Sequence, residues 1–102
     1  MTPEEKFDAL IADIPGAKRS NMFGVTCAKI GRRPFMLFYE DEIACKLYDA
    51  EKEEATAIPG SSFFSPKDYG KAMTNWVRIP FSHANLWEKF AVAAFGFVEE
   101  GR

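Results

Sequence analysis

One histidine, two cysteines and no glycine-rich phosphate loop leave this 102-residue chain with little catalytic inventory. A structural zinc site takes four Cys or His ligands at set spacings, and residues at positions 27, 45 and 83 cannot supply one. No metal and no cofactor is therefore expected. No apolar run nears the ~20 residues that span a bilayer. The opening Met1-Thr2-Pro3-Glu4-Glu5 lacks the basic and apolar segments of a secretory leader. The expected location is the cytoplasm, away from membrane, with Cys27 and Cys45 reduced. Basic excess is missing too: the net charge is −2. Domains that live on phosphate contacts usually carry a basic stripe, so nucleic acid is not the expected partner.

Apolar and aromatic residues are abundant. A hydrophobic fraction of 47% with ten Phe excludes disorder and fits a single domain over residues 1–102 with one core. Thr2 and Glu5 have capping-box spacing, Pro3 suits a first helical position, and Phe7, Leu10, Ile11 and Ile14 form one helical face. Pro15-Gly16 stops that helix.

A meander follows. Phe23–Ile30 reads as a strand, in which Gly24 marks a bulge or an edge. Gly31-Arg32-Arg33-Pro34 makes the turn. Phe35–Tyr39 is apolar on both faces and belongs in the sheet interior, with helices over one side. After a turn at Glu40-Asp41, Ile43, Cys45 and Leu47 alternate with Glu42, Ala44 and Lys46, a half-buried strand with one wet face. The cysteines then lie on strands one and three, about 9–10 Å apart, too far for a disulfide. Both are expected to be structural core thiols.

Asp49 is expected to cap a short acidic helix to about Ala57, with a thin apolar face. Ser61–Gly70 holds a short strand and a turn. Met73–Pro80 is another strand, with Val77 and Ile79 on one face and Trp76 and Arg78 on the other. Ser82 is expected to cap the last helix, Phe81 and Leu86 to staple it, and Gly96 or Gly101 to end it. Leu86, Phe90, Ala93 and Phe97 form its main stripe, flanked by Trp87, Ala91 and Ala94. The expected fold is α+β in two layers, α-β-β-β-α-β-β-α, with an antiparallel sheet and helices on one face.

Chemistry-bearing residues are sparse. His83, at the start of the last helix, has no Ser or Cys nucleophile near it in sequence and reads as a surface residue. Glu40, Asp41 and Glu42 lack the spacing of a calcium loop and read as a solvated turn. Gly60-Ser61-Ser62 is not followed by the Lys of a phosphate loop. Trp76 and Arg78, with Tyr69 nearby, resemble a stacking surface, although packing beneath the last helix explains Trp76 as well.

An ordered set of residues resembles the N-terminal domain of the TfoX/Sxy family. It comprises Met22-Phe23-Gly24, Gly31 with Phe35-Met36, Glu42–Leu47, Phe64-Ser65-Pro66, Gly70, Met73, Trp76-Val77, Ile79-Pro80 and Trp87. Val25 stands where the family usually has a second Gly, and the C-terminal helical domain of the larger relatives is not among these residues. The resemblance implies a secretion-chaperone-like α+β fold, dimerisation and, through the larger relatives, a part in transcription regulation. It carries over no catalytic residue.

The expected function is a small non-enzymatic interaction module, homodimeric, with a transcription-related protein as a possible partner. Trp76, Arg78, Trp87 and Phe90 are the expected contact residues. An alternative is a nucleic-acid contact through Lys18, Arg19, Lys29, Arg32 and Arg33 on the first hairpin, readable from salt-dependent affinity. A second alternative is a small ligand held between the sheet and the last helix.

Overall fold

The computed structural model describes residues 1–22, 24–65 and 72–102. Helix α1 (Pro3–Asp13) opens on the expected capping box: the Glu5 N–H donates to Thr2 Oγ1 and the Thr2 N–H donates to Glu5 Oε1. Phe7, Leu10 and Ile14 of its apolar face are buried. Four strands follow, β1 (Ala17–Met22), β2 (Val25–Ile30), β3 (Arg33–Tyr39) and β4 (Glu42–Lys46), then α2 (Asp49–Thr56), β5 (Ser62–Phe64) and β6 (Met73–Ile79). A 3-10 turn (Phe81–Leu86) leads into α3 (Trp87–Glu99).

The expected first strand is β2, and an unexpected strand, β1, precedes it. Met22 pairs directly with Val25, and Gly24 has φ of 77°, so the chain reverses where the sequence suggested only a bulge. Gly is the residue that enters this left-handed region without a steric cost. Phe23, the expected start of the strand, lies outside the described residues, as do residues 66–70 of the expected strand and turn over Ser61–Gly70. The expected order therefore gains a strand. Among the described residues, the sheet is antiparallel with the order β1-β2-β3-β4-β6-β5.

All three helices pack on one face. α3 lies over β3 and β4, α1 over β1, and α2 beside β6 and α3. Ala28, Met36, Ile43, Cys45, Val77 and Ile79 point into this layer. A register shift next to Ala28 leaves Phe35 as an extra residue on β3, and both Phe35 and Met36 are buried against the helices. Bulges bend a strand in this way and re-aim its side chains. The opposite face has its own cluster, Cys27, Leu37, Ala44, Phe64 and Trp76. The expected wet face of β4 is therefore corrected: Ala44 is buried there because Leu37 and Arg78 flank it on the neighbouring strands. Cys27 and Cys45 are both free and buried, and they lie on opposite faces as well as two strands apart. Among the described residues, no polar or charged side chain is buried, and no helix is long and apolar enough to cross a membrane.

Two expected caps differ. α3 begins at Trp87, after a kink at His83 (φ −115°, ψ 32°), and no side chain caps it at Leu86. The Trp87 indole N–H, donating to the carbonyls of Ile79 (3.2 Å) and Pro80 (3.3 Å), fixes that start where Ser82 was expected to. Asp49 likewise opens α2 without capping it; its φ is 55° and its carboxylate accepts from Arg102 Nη1. The end of α3 follows expectation at Gly101. The Arg102 N–H donates to the Phe97 carbonyl and the Gly101 N–H to that of Val98, with Gly101 at φ 101°. That pair of bonds is the Schellman arrangement.

The β3–β4 turn holds Glu40 and Asp41 at φ 52° and 62°, a two-residue reversal that Gly or Asn would make at lower cost. Asp41→Gly is expected to stabilise the domain by about 0.5–1 kcal/mol in urea denaturation, because it removes the left-handed penalty. Glu40 has a compensating contact: its carboxylate accepts from Arg78 Nη2.

Candidate functional site

The face of the sheet away from the helices carries the chemistry. β-strand alternation places Trp76 and Arg78 on it together, two residues apart on β6. Trp76 is buried there, in the cluster opposite the helices, so packing beneath the last helix does not explain it. Arg78 lies 5.2 Å over the Tyr39 ring, and its Nε donates to Glu42 Oε1 at 2.9 Å. Tyr39 in turn meets Phe64 edge-on at 5.3 Å. Arg78 is thus held by two carboxylates and a ring, which fixes the fork of its guanidinium in place. Glu40 and Glu42 are engaged by that arginine. Among the described residues, no three His, Cys, Asp or Glu side chains converge as metal ligands would. Tyr69, expected near this surface, lies outside the described residues.

Trp87 and Phe90 are not part of any surface. Trp87 is 0% and Phe90 2% exposed, both inside the helix-side core, which corrects their expected role as contact residues. The reason is helical phase. The buried stripe of α3 runs Trp87, Phe90, Ala91, Ala94 and Val98, whereas Ala93 and Phe97 stand at its margin and Val92 is exposed. His83 is half-buried in the 3-10 turn, and its backbone N–H donates to the Pro80 carbonyl.

The five cations of the first hairpin do not form one patch. Arg19 turns to α1, where the carboxylates of Glu4 and Asp8 accept from its guanidinium and hold it further towards the protonated form. Arg33 Nη1 donates to the Val98 carbonyl at the end of α3. Lys18 and Lys29 remain, directly opposite one another on β1 and β2, with Arg32 in the adjoining turn. A phosphate backbone that needed all five would find only three together.

Lys29 and Arg32, but not Lys18, line a cleft of about 150 Å³ together with Asn21, Met22, Cys27 and Pro34. It lies on the helix-free face, not between the sheet and the last helix where a ligand was expected. Burial pushes the Cys27 thiol up, with Lys29 pulling the other way, an environment that disfavours the thiolate. Asn21 and Met22 escaped the sequence reading because Ala17–Met22 is polar at most positions and looks like a loop. The signal that would have found them is Gly24 read as a hairpin reversal. No family model, no curated protein and no solved structure matches the chain.

Proposed function

We propose that this protein is a small non-enzymatic interaction module that pairs with a second copy of itself through the partly exposed margin of the helix-free face, at Tyr39, Met73 and Arg78, over the buried Phe64 and Trp76. The observation that carries the reading is the second apolar cluster, centred on Trp76 and Leu37 and overlain by no helix among the described residues. The core of that cluster is enclosed, with Trp76 6% and Phe64 2% exposed, so a partner would meet its margin. Tyr39 and Met73 lie partly exposed at the margin of that cluster, beside the fixed Arg78–Glu42 pair. A ring, a thioether and a held guanidinium are residue types enriched in interface cores. The resemblance to the TfoX/Sxy N-terminal domain supports self-pairing and directs the search for any further partner to transcription proteins.

Sedimentation equilibrium tests it. The wild-type chain is expected to dimerise, and the double variant Tyr39→Lys with Met73→Lys to sediment as a folded monomer. A wild-type chain that stays monomeric across the concentration range removes the self-pairing. A variant that dimerises as tightly as wild type moves the contact off this face.

A further inference from the structure

We propose that the cleft lined by Met22, Cys27, Lys29, Arg32 and Pro34 binds a small organic carboxylate of about one aromatic ring in size. Lys18 and Lys29 sit directly across the β1–β2 ladder, and like charges so placed repel. Arg32 adds a third positive charge beside them. Every other arginine has a partner: Arg19, Arg78 and Arg102 pair with carboxylates, and Arg33 donates to a backbone carbonyl. Among the described residues, Lys18, Lys29 and Arg32 have no ion pair and no side-chain hydrogen bond. A concentration of uncompensated positive charge at a concavity is what an anion would relieve.

The cleft selects among anions by its floor. Below the cationic lip lie Cys27, 1% exposed, and Met22 and Pro34, with Asn21 at the edge. A bare inorganic anion would leave that apolar floor uncovered. A ring carrying a carboxylate would cover it, with the planar Arg32 fork donating to both carboxylate oxygens. The volume of about 150 Å³ sets the size. A cavity of about that volume holds a single benzene ring in an unrelated engineered protein. Cys27 and Met22 belong also to the cluster around Tyr39 and Trp76, so binding is also measured on the Tyr39→Lys, Met73→Lys variant, where benzoate is expected to bind whether or not the chain self-pairs.

The test is a nitrogen–proton correlation titration with benzoate, with acetate and benzyl alcohol as the charge-only and ring-only probes. Benzoate is expected to shift the amides of Asn21, Cys27, Lys29 and Arg32 saturably, with acetate and benzyl alcohol each roughly tenfold weaker. The double variant Lys29→Gln with Arg32→Gln is expected to weaken benzoate by roughly tenfold or more while leaving the rest of the spectrum in place, since both side chains reach solvent. Three results would each overturn the proposal. They are benzoate shifts that do not saturate, acetate binding as tight as benzoate's, and a double variant that keeps the wild-type affinity.

Discussion

Trp87→Ala is expected to lower the unfolding free energy by about 3–5 kcal/mol, read from the urea midpoint. The indole is completely enclosed, meets Phe81 edge-on at 5.5 Å, and donates to the Ile79 and Pro80 carbonyls. Truncation removes the largest fully buried side chain, and it leaves a cavity at the junction of β6, the 3-10 turn and α3. It also takes away the donor that fixes where α3 starts. Set against a typical total of about 5–15 kcal/mol, that loss leaves a marginal domain or none. Phe90→Ala is expected to fall in the same range, because its ring is packed in the same core. Val92→Ala, one turn along but 53% exposed, should stay within about 0.5 kcal/mol. That contrast separates a core helix from a docking helix. If Trp87→Ala weakened self-association while the urea midpoint held, α3 would be a contact surface and its burial in the isolated chain misleading.

The same helix shows what was legible in the sequence and what was not. Its existence, its apolar richness and its end at Gly101 follow from local chemistry, since a left-handed glycine and a following residue suffice for the Schellman bonds. Its start does not, because Ser82 and Trp87 are both plausible anchors until β6 brings the Ile79 and Pro80 carbonyls to the indole. That is a long-range choice, invisible in a window of a few residues. The capping box at Thr2 and the central position of β3 were readable for the opposite reason: each depends on residues adjacent in sequence or on a strand apolar at every position. The missing β1 shows a third case. Lys18, Arg19, Ser20 and Asn21 lack apolar alternation because β1 is an edge strand whose ladder partner supplies most of the pairing energy. Losing that strand hid the opposition of Lys18 to Lys29, and with it the cleft. Periodicity could place Trp76 and Arg78 on a shared face, but not say which face the helices cover. That depends on Leu47, Ala55 and Ile58 packing with α3 in the helix-side core, on the side of Val77.

Raising the pH is expected to destabilise the fold through Cys45, and the effect should vanish in Cys45→Ala. The thiol is 0% exposed between the sheet and the helices, and burial alone pushes its titration far above the ordinary range near 8.5. Below pH of about 8.5 the native and unfolded chains both hold this proton, and pH has no leverage through it. Above that, the unfolded thiol ionises while the native one does not. The unfolded state then binds fewer protons, so stability falls as the pH rises. Over two pH units the loss from this one group is about 2–3 kcal/mol. Cys27 adds in the same direction, weakened by Lys29 beside it. Urea midpoints at pH 8 and 10.5 for wild type, Cys45→Ala and Cys27→Ala isolate the two contributions from the titration of lysines and tyrosines, which all three chains share. The alanine variants should be somewhat less stable at pH 8 and have flatter alkaline slopes, the flatter in Cys45→Ala. Thiol labelling gives the same ordering by rate: both sulfurs should react with a disulfide reagent only as fast as the fold opens, Cys45 more slowly than Cys27. Equal slopes in all three chains, or immediate labelling of Cys45 in the native protein, would mean that the helix layer does not seal the sheet at Cys45.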